Sequence, residues 1–319
     1  MTSTIRVSVL IPCHSLIYLA QAIKSIAAQS MPADSYEVIL VADRIKTSDA
    51  ENLLKDSLQN YRVYESSKPG IVNALNLGLS KSSSIYVARM DEDDLMEPDR
   101  LNQQCNFLDL NSECVVVGGQ LKLINESGEI FGVSRFQNKV VRRVDLLGRS
   151  PIAHPAAMFR RERVVEIGGY RENLPEDWDL WARLSKQGAL ANLSSYVLRY
   201  RVHESQLSRS DMYRHSTSRL MIGTSLYARE TGLRDVPTEK LDSDDWLNTT
   251  QASLSKISTE YARFVREVHE ENVLNMALSR QRSIRNILQL TQIAIKQPRV
   301  FLGYASRVVR NRYHYWKIL

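Results

Sequence analysis

The sequence has no uninterrupted run of the ~18 uncharged apolar residues that a membrane-spanning helix needs. Arg6 interrupts the apolar stretch near the start, which is not the layout of a secretory signal peptide. Both absences predict a protein of the cytoplasm. The rest is ordinary for a globular protein, with 43% hydrophobic and 24% charged residues.

Cysteine is scarce. Cys13, Cys105 and Cys114 are odd in number and include no Cys-x-x-Cys pair. This pattern predicts neither a disulfide framework nor a zinc site. We expect all three thiols to be reduced and buried.

Acidic residues are missing from Ser279 to Leu319, and the basic residues of that stretch are Arg280, Arg282, Arg285, Lys296, Arg299, Arg307, Arg310, Arg312 and Lys317. The whole chain has a net charge of +6, so the remainder is slightly negative. A nearly neutral body with a basic tail disfavours a nucleic-acid-binding domain and predicts a local contact with an anionic partner.

Apolar residues recur at helical spacing in this tail, over 284–295 and again over 300–309, and Tyr313, Tyr315 and Trp316 crowd its end. Basic amphipathic helices with interfacial aromatics favour a membrane surface. We therefore hypothesise that the tail holds the protein on the inner face of the cell membrane, through anionic lipids. The alternative is that the apolar stripes pack on the rest of the chain or on a second copy in a homo-oligomer.

Apolar, β-branched runs alternate with helical patterns in the first third of the chain. They predict strands at 6–12, 37–42, 61–64 and 85–90, and helices at 18–29, 49–58 and 72–79. This alternation indicates an α/β fold with a Rossmann-like, mostly parallel sheet flanked by helices, and ligands at the carboxyl ends of the strands.

The pattern is less regular further on, with helices predicted at 99–110 and 178–186 and strands at 115–124 and 197–202. The stretch 230–250 holds Pro237 among many polar residues and is the best candidate for a linker. We predict a catalytic domain at 1–229, the linker at 230–250, and a helical appendage at 251–319 that carries the basic tail.

An acidic cluster, residues 91–94, directly follows the strand at 85–90. Carboxylates this close repel one another and need a positive partner. Two carboxylates suit Mg²⁺ or Mn²⁺, whose remaining positions water and substrate phosphates fill. The alternative is a solvated acidic turn at the start of the next helix.

Several short motifs occur in one order along the chain and together resemble glycosyltransferase family 2. They occupy residues 8–14, 37–43, 70–76, 88–94, 98–101, 154–160, 168–170, 176–181 and 198–203, about the first two thirds of the chain. The later ones are similar to those of soluble bacterial enzymes that make cell-surface polysaccharides.

The resemblance implies a GT-A fold, with a nucleotide-sugar-binding half at 1–100 and an acceptor half at 101–229. It also implies an inverting hexosyl- or N-acetylhexosaminyltransferase. Such an enzyme uses Mn²⁺ or Mg²⁺ and moves a sugar from a nucleotide donor, typically of uridine diphosphate (UDP), to a hydroxyl of a glycan or lipid-linked acceptor.

Individual residues take roles by position in the resemblance. The donor-binding residues are Pro12, His14, Asp43, Asn76, Arg89, Asp91 and Arg201; the metal ligands are Asp93 and His203; the acceptor-binding residues are His154 and Glu176; the general base is Asp177. Two roles have plain alternatives: Asp177 as a helix-capping acid, and His203 as a surface histidine.

The sequence departs from the family in two places. Ala42, Asp43 and Arg44 stand where paired acids and a glycine are usual, and the Gln-x-x-Arg-Trp motif of processive synthases is absent, which favours transfer of a single sugar. Two other functions remain open. A sugar nucleotidyltransferase should carry a glycine-rich loop after the first strand, unlike residues 12–15, and a non-catalytic membrane-peripheral adaptor would only bind nucleotide or carbohydrate.

Overall fold

The computed structural model describes residues 5–134, 136, 140–141, 150–172 and 175–203. The chain divides after Glu204 into two units, and the described residues belong to the first. The predicted linker at 230–250, the appendage at 251–319 and the basic tail lie outside the described residues.

The first half alternates strands and helices. In chain order the elements are β1 (Val7–Cys13), α1 (Leu19–Ala27), β2 (Tyr36–Ala42), α2 (Thr47–Leu54), β3 (Tyr61–Glu65), α3 (Ile71–Lys81) and β4 (Tyr86–Arg89). The strands lie in the order β3-β2-β1-β4, and all three pairings are parallel. The predicted Rossmann-like half is therefore confirmed.

The second half extends the same sheet. Its elements are β5 (Leu95–Met96), α4 (Arg100–Leu110), β6 (Cys114–Ile124), β7 (Ile130–Ser134), β8 (Val140–Val141), β9 (Met158–Arg160), α5 (Arg161–Glu166), α6 (Glu176–Leu184) and β10 (Ala189–Arg201). The order continues β4-β9-β6-β10-β5. β9 runs antiparallel to both neighbours, and β10 runs parallel to β6. The sheet is thus parallel in its first half and mixed in its second.

Burial explains why these segments form. Every residue of β1 and β2 is buried, so continuous apolar runs suit them. In α1 the buried residues are Leu19, Ala22, Ile23 and Ile26, which is the spacing of one helical face. α3 packs directly on β1 and β2 at Gly78, where a Cβ atom would stand 2.1 Å from Cδ1 of Leu10. A side chain there would push the helix off the sheet.

Two expectations from the sequence are settled at this level. Cys13, Cys105 and Cys114 are all free and buried, as predicted, and burial raises the pKa of Cys105 to about 12 and that of Cys114 to about 11. Among the residues that the structure describes, no helix combines the length and apolarity that a membrane span requires.

Candidate active site

The carboxyl ends of β1 and β2 are tied together by Asp43. Its backbone N–H donates to the carbonyl of Cys13 at 2.8 Å, and its Oδ2 accepts the backbone N–H of Gly70 at 2.9 Å. Gly70 has φ 113°, a conformation that favours glycine. Asp43 therefore fixes the start of α3 against the sheet edge, with Oδ1 still 3.6 Å from Nε of Arg44.

Two other predicted donor residues lie at the end of β1. Pro12 is buried within the strand and opposite Val41, whereas His14 follows the strand and is exposed. Nδ1 of His14 is 2.6 Å from Oε1 of Glu92, and this contact raises the pKa of His14. Glu92 is therefore paired with His14 at the end of β1. The other three acids of the turn lie close to one another.

The acidic turn, residues 91–94, brings three carboxylates together. One oxygen each from Asp91, Asp93 and Asp94 can be chosen so that all lie within 4.8 Å of one another. Asp94 is fully buried; its Oδ1 accepts the backbone N–H of Arg201 at 2.8 Å, and its Oδ2 has no hydrogen-bond partner. Burial and then the neighbouring carboxylates raise the pKa of Asp94 well above its ordinary value.

An unpartnered buried oxygen beside two further carboxylates fits a divalent cation, which prefers oxygen ligands and supplies the missing positive charge. His203 lies beside this set, with its Nε2 2.8 Å from Oδ2 of Asp93. The residues present therefore suit Mn²⁺ or Mg²⁺.

Arg89 forms a two-pronged ion pair with Asp91, with Nη1 2.6 Å from Oδ2 and Nη2 2.5 Å from Oδ1. The guanidinium is buried and its Nε has no partner. Burial lowers the pKa of Arg89, but Asp91 and Glu176 outweigh it and raise the pKa above its ordinary value. Asp91 is thus held in position by Arg89.

Arg201, predicted to bind the donor, contacts protein groups in the described part of the chain. Its guanidinium is fully buried, with Nε donating to the carbonyl of Asp93 at 2.7 Å and Nη1 to that of Glu126 at 2.8 Å. It also lies 4.3 Å from the ring centroid of Tyr18. The tip of the β6–β7 hairpin covers the arginine. Arg201 supports the acidic turn from behind.

Asn76 likewise binds protein rather than open space. Its Nδ2 donates to the carbonyl of Tyr170 at 2.9 Å, and its Oδ1 accepts the backbone N–H of the same residue at 2.8 Å. Gly169 has φ 70°, and a Cβ atom there would stand 2.5 Å from Oδ1 of Asn76. Asn76 therefore joins α3 to the 168–170 loop, and its donor contact stays a prediction.

Asp177 lies in the first turn of α6. Its Oδ2 accepts the hydroxyl of Ser150 at 3.0 Å, and burial, followed by the charge of Glu176, raises the pKa of Asp177. The helix begins after Pro175, and no side-chain hydrogen bond caps it there. Asp179 has a different partner, since its Oδ2 is 2.8 Å from Nε of Arg183. The first turn thus contains one acid in a buried ion pair, Asp179, and one, Asp177, that accepts from the hydroxyl of Ser150 and from the backbone of Trp178.

His154 lies beside Glu176, with Nδ1 3.4 Å from Oε1. Its Nε2 is 3.1 Å from the hydroxyl of Tyr170. Burial, and then the charge of Arg89, lower the pKa of His154 to about 3, so this histidine is neutral at physiological pH. The predicted acceptor residues and base therefore form one cluster, within electrostatic reach of Arg89.

Sequence reasoning missed two residues that join the halves of the site. Arg100 is buried, with Nη2 donating to the carbonyl of Arg89 at 2.7 Å and Nη1 to that of Pro155 at 2.9 Å. One turn along α4, Nε2 of Gln104 donates to the carbonyl of Ala156 at 2.8 Å. Arg100 lies within the motif at 98–101, which was the signal available.

A family model described as glycosyl transferase family 2 matches residues 8–168, half of the chain, from β1 to the loop before Tyr170. The chain belongs to this family. The match includes the acidic turn and His154, and it ends before α6.

Relatives and solved structures agree with this membership. The O-antigen biosynthesis glycosyltransferase WbnJ of Escherichia coli is 30% identical over 200 residues, which are 60% of this chain and 78% of that protein. An E. coli protein named UDP-Gal:alpha-D-GlcNAc-diphosphoundecaprenol beta-1,3-galactosyltransferase is 28% identical over 58% of this chain and 68% of its own. The crystal structure of residues 1–349 of TarS from S. aureus, in complex with UDP-GlcNAc, superposes with a TM-score of 0.60 at 18% identity and covers 92% of each chain. That likeness shows a shared fold.

Proposed function

We propose that this family 2 glycosyltransferase transfers a single hexosyl or N-acetylhexosaminyl group, with inversion, from a nucleotide sugar to a hydroxyl in cell-surface polysaccharide synthesis. The observation that carries the proposal is the pairing of two carboxylate groups with different surroundings. The acidic turn has an unpartnered buried oxygen, and Asp177 has a raised pKa. Titratable groups whose surroundings differ in this way are typical of divided roles in catalysis.

The donor lies, in this proposal, along the carboxyl ends of β1, β2 and β4. Asp43 and His14 contact the base side, and Asp91 contacts the ribose, since Arg89 fixes the direction of its carboxylate. Support for a UDP donor comes from relatives: TarS was solved with UDP-GlcNAc, and the E. coli galactosyltransferase is named for UDP-Gal. The acceptor named for that enzyme, a lipid diphosphate, supports a lipid-linked or glycan acceptor here.

Asp93 and His203 would hold Mn²⁺ or Mg²⁺, with Asp94 beneath them. When bound, the cation offsets the negative charge that develops on the departing diphosphate. Arg201 keeps these ligands in place, because its backbone N–H binds Asp94 and its Nε binds the carbonyl of Asp93.

Asp177 is the proposed general base. The acceptor hydroxyl must lose its proton as it attacks the anomeric carbon from the face opposite the diphosphate, and a single displacement needs one base at that position. The raised pKa of Asp177 brings its basicity closer to neutral pH. Glu176 and His154 would orient the acceptor beside it.

The proposed location is the cytoplasmic face of the cell membrane, through the basic tail. Flotation of the full-length protein with anionic liposomes tests it, using a variant with Arg280, Arg282 and Arg285 changed to Gln. The matched control changes Arg161 and Arg163, which lie on α5 away from the tail in sequence. Each basic residue near such a surface adds ~1 kcal/mol, so only the tail variant should lose binding, and added salt should weaken the wild type. Equal flotation of the variants would contradict the anchor.

A screen of nucleotide sugars by thermal shift, with and without Mn²⁺, tests the function. A true donor should raise the melting temperature only with the metal, because ligands that bind the folded state stabilise it by mass action. Product analysis with that donor should then show inverted anomeric configuration. Stabilisation by nucleoside triphosphates with release of pyrophosphate would instead identify a nucleotidyltransferase.

A further inference from the structure

Tyr170 is nearly fully buried and joined to both halves of the site. Asn76 on α3 binds both its backbone N–H and its carbonyl, which fixes where the residue lies. Its hydroxyl is 3.1 Å from Nε2 of His154, and the two ring centroids are 5.5 Å apart. No role in the reaction has been given to Tyr170 so far.

His154 has one hydrogen atom to share between two ring nitrogens. Burial keeps the ring neutral, since the pKa is lowered to about 3. A neutral imidazole donates from one nitrogen and accepts at the other, and the partner of each nitrogen decides which. Nδ1 faces Oε1 of Glu176 at 3.4 Å, and Nε2 faces the hydroxyl of Tyr170.

Those two partners differ in what they can offer. A carboxylate oxygen accepts, whereas a tyrosine hydroxyl can donate. The pKa of Tyr170 is raised by burial, so the hydroxyl keeps its proton. The arrangement in which both contacts are favourable has Tyr170 donating to Nε2 and the hydrogen of Nδ1 on the side of the Glu176 carboxylate. The other tautomer would set the lone pair of Nδ1 against a carboxylate.

We propose that Tyr170 is a positioning residue that holds His154 in the Nδ1–H tautomer and, through it, orients the Glu176 carboxylate next to the base. The consequence for catalysis rests on the proposed function, whereas the tautomer does not. The contact between Nδ1 and Oε1 is electrostatic in this structure, since Nδ1 has no hydrogen-bond partner among the described residues, and catalytic hydrogen bonds often form only when substrate is bound. Acceptor binding is therefore the step at which the proposed contact matters.

The test compares Tyr170→Phe with Tyr86→Phe in the full-length protein. Both tyrosines are buried, and the hydroxyl of Tyr86 donates to Oδ1 of Asp109 at 2.7 Å, at the amino end of β4 and away from the site. Each variant removes one buried hydroxyl and keeps the ring. The pair thus separates a lost hydrogen bond in general from the loss of this one.

Long-range ¹H–¹⁵N correlation spectra of the ¹⁵N-histidine-labelled protein report the tautomer without any substrate. The His154 signals are assigned as those missing from His154→Gln. We expect the Nδ1–H pattern in the wild type and in Tyr86→Phe, and a shift toward Nε2–H in Tyr170→Phe. The Nε2–H pattern in the wild type, or no change in Tyr170→Phe, would overturn the proposal.

Kinetics then separate the positioning role from the function itself. With any active donor, Tyr170→Phe should raise the KM for the acceptor by up to about tenfold and leave the donor Kd unchanged, as loss of one hydrogen bond between neutral groups predicts. Tyr86→Phe should alter neither. An unchanged acceptor KM in Tyr170→Phe would refute the role of Tyr170 in acceptor binding. If the wild type transfers no sugar at all, the proposed function is wrong, and the spectra alone then test the tautomer of His154.

Discussion

The two ends of the first four strands carry buried polar clusters with opposite properties. At the amino ends, the hydroxyl of Ser8 donates to Oε1 of Glu37 at 2.7 Å and lies 2.8 Å from the hydroxyls of Ser82 and Ser84. Nε of Arg62 donates to Oε2 of Glu37 at 3.0 Å. The carboxylate at this end has partners on both oxygens, and the cluster is a closed network.

At the carboxyl ends, several buried atoms have no partner within the part of the chain that the structure describes. They are Oδ2 of Asp94, Nε of Arg89 and Nδ1 of His154. Unpaired buried polar atoms cost free energy, so a folded protein keeps them where a ligand or a reaction uses them. The same sheet therefore shows a polar cluster built for stability at one end and one built for binding at the other.

Replacing Asp177 by Asn should give the largest effect. We expect kcat to fall by about 10²–10⁴, because the amide cannot take the acceptor proton, while the donor Kd stays near the wild-type value. Transfer assays and donor calorimetry check this. Glu37→Gln, at the amino end, should keep the wild-type kcat. A residual rate in Asp177→Asn above about a tenth of wild type would exclude Asp177 as the base.

Replacing Asp93 by Ala should weaken donor binding in Mn²⁺ by at least about 100-fold, because a ligand and the support of His203 are lost together. His203→Gln should lose about tenfold, since the carboxylates remain. Titration calorimetry with and without the metal measures both. If a chelator leaves the donor affinity of the wild type unchanged, the metal has no role in donor binding.

The pH profile of transfer should report the raised pKa of Asp177. The base works ionised, so kcat/KM should fall as the pH drops through that pKa, by about tenfold per pH unit below it. Two titratable groups face Asp177. Glu176 raises the pKa of Asp177, and His154 is neutral above about pH 3. Glu176→Gln should move the acid limb to lower pH. An acid limb that stays in place would show that burial alone sets it.

Asp94→Asn at the carboxyl ends of the strands and Glu37→Gln at the amino ends should change the stability of the fold in opposite directions. Both effects should be smaller than those on catalysis and donor binding. The folded state raises the pKa of Asp94, so the metal-free protein loses stability as the pH rises from the ordinary value to the raised one. At pH 7, Asp94→Asn should therefore raise the free energy of unfolding by about 1 kcal/mol. Glu37→Gln should lower it by about 1–3 kcal/mol, because Arg62 and Ser8 lose a charged partner.

Denaturant unfolding in the presence of a chelator measures both variants. Addition of Mn²⁺ should then stabilise the wild type more than Asp94→Asn. If both substitutions raise the free energy of unfolding, or both lower it, the two clusters do not differ in the way proposed.

The sequence predicted best where one residue pattern decides the outcome. β1 and β2 are apolar on both faces, and their predicted bounds are within one residue of those observed. β10 was predicted as 197–202 but begins at Ala189, because polar residues and a shift of register between Asn192 and Tyr196 hide the alternation. Strands as short as β5, β8 and β9 carry no periodic signal and form because neighbouring strands hold them.

The site followed the same rule. The acidic turn and the acids that open α6 stand at the ends of recognisable elements, so their positions could be predicted. The partners of Asn76 and Arg201 could not, because each binds backbone far away in sequence: Tyr170 for one, and Glu126 for the other. Backbone groups are the same at every position and leave no mark on the sequence.

Apart from the bond between their own side chains, Arg100 and Gln104 donate to backbone carbonyls, at Arg89, in the turn of residues 154–157 and on β6. Every residue has a carbonyl group, so the contacts of Arg100 and Gln104 constrain the number of residues in the turn but not which residues they are. Chimaeras that exchange residues 1–100 or 101–229 between relatives should therefore tolerate divergent sequence around His154. A single inserted residue there would move the carbonyls away from α4, and with them the histidine and the neighbouring base. Spacing, more than identity, decides which halves can be recombined.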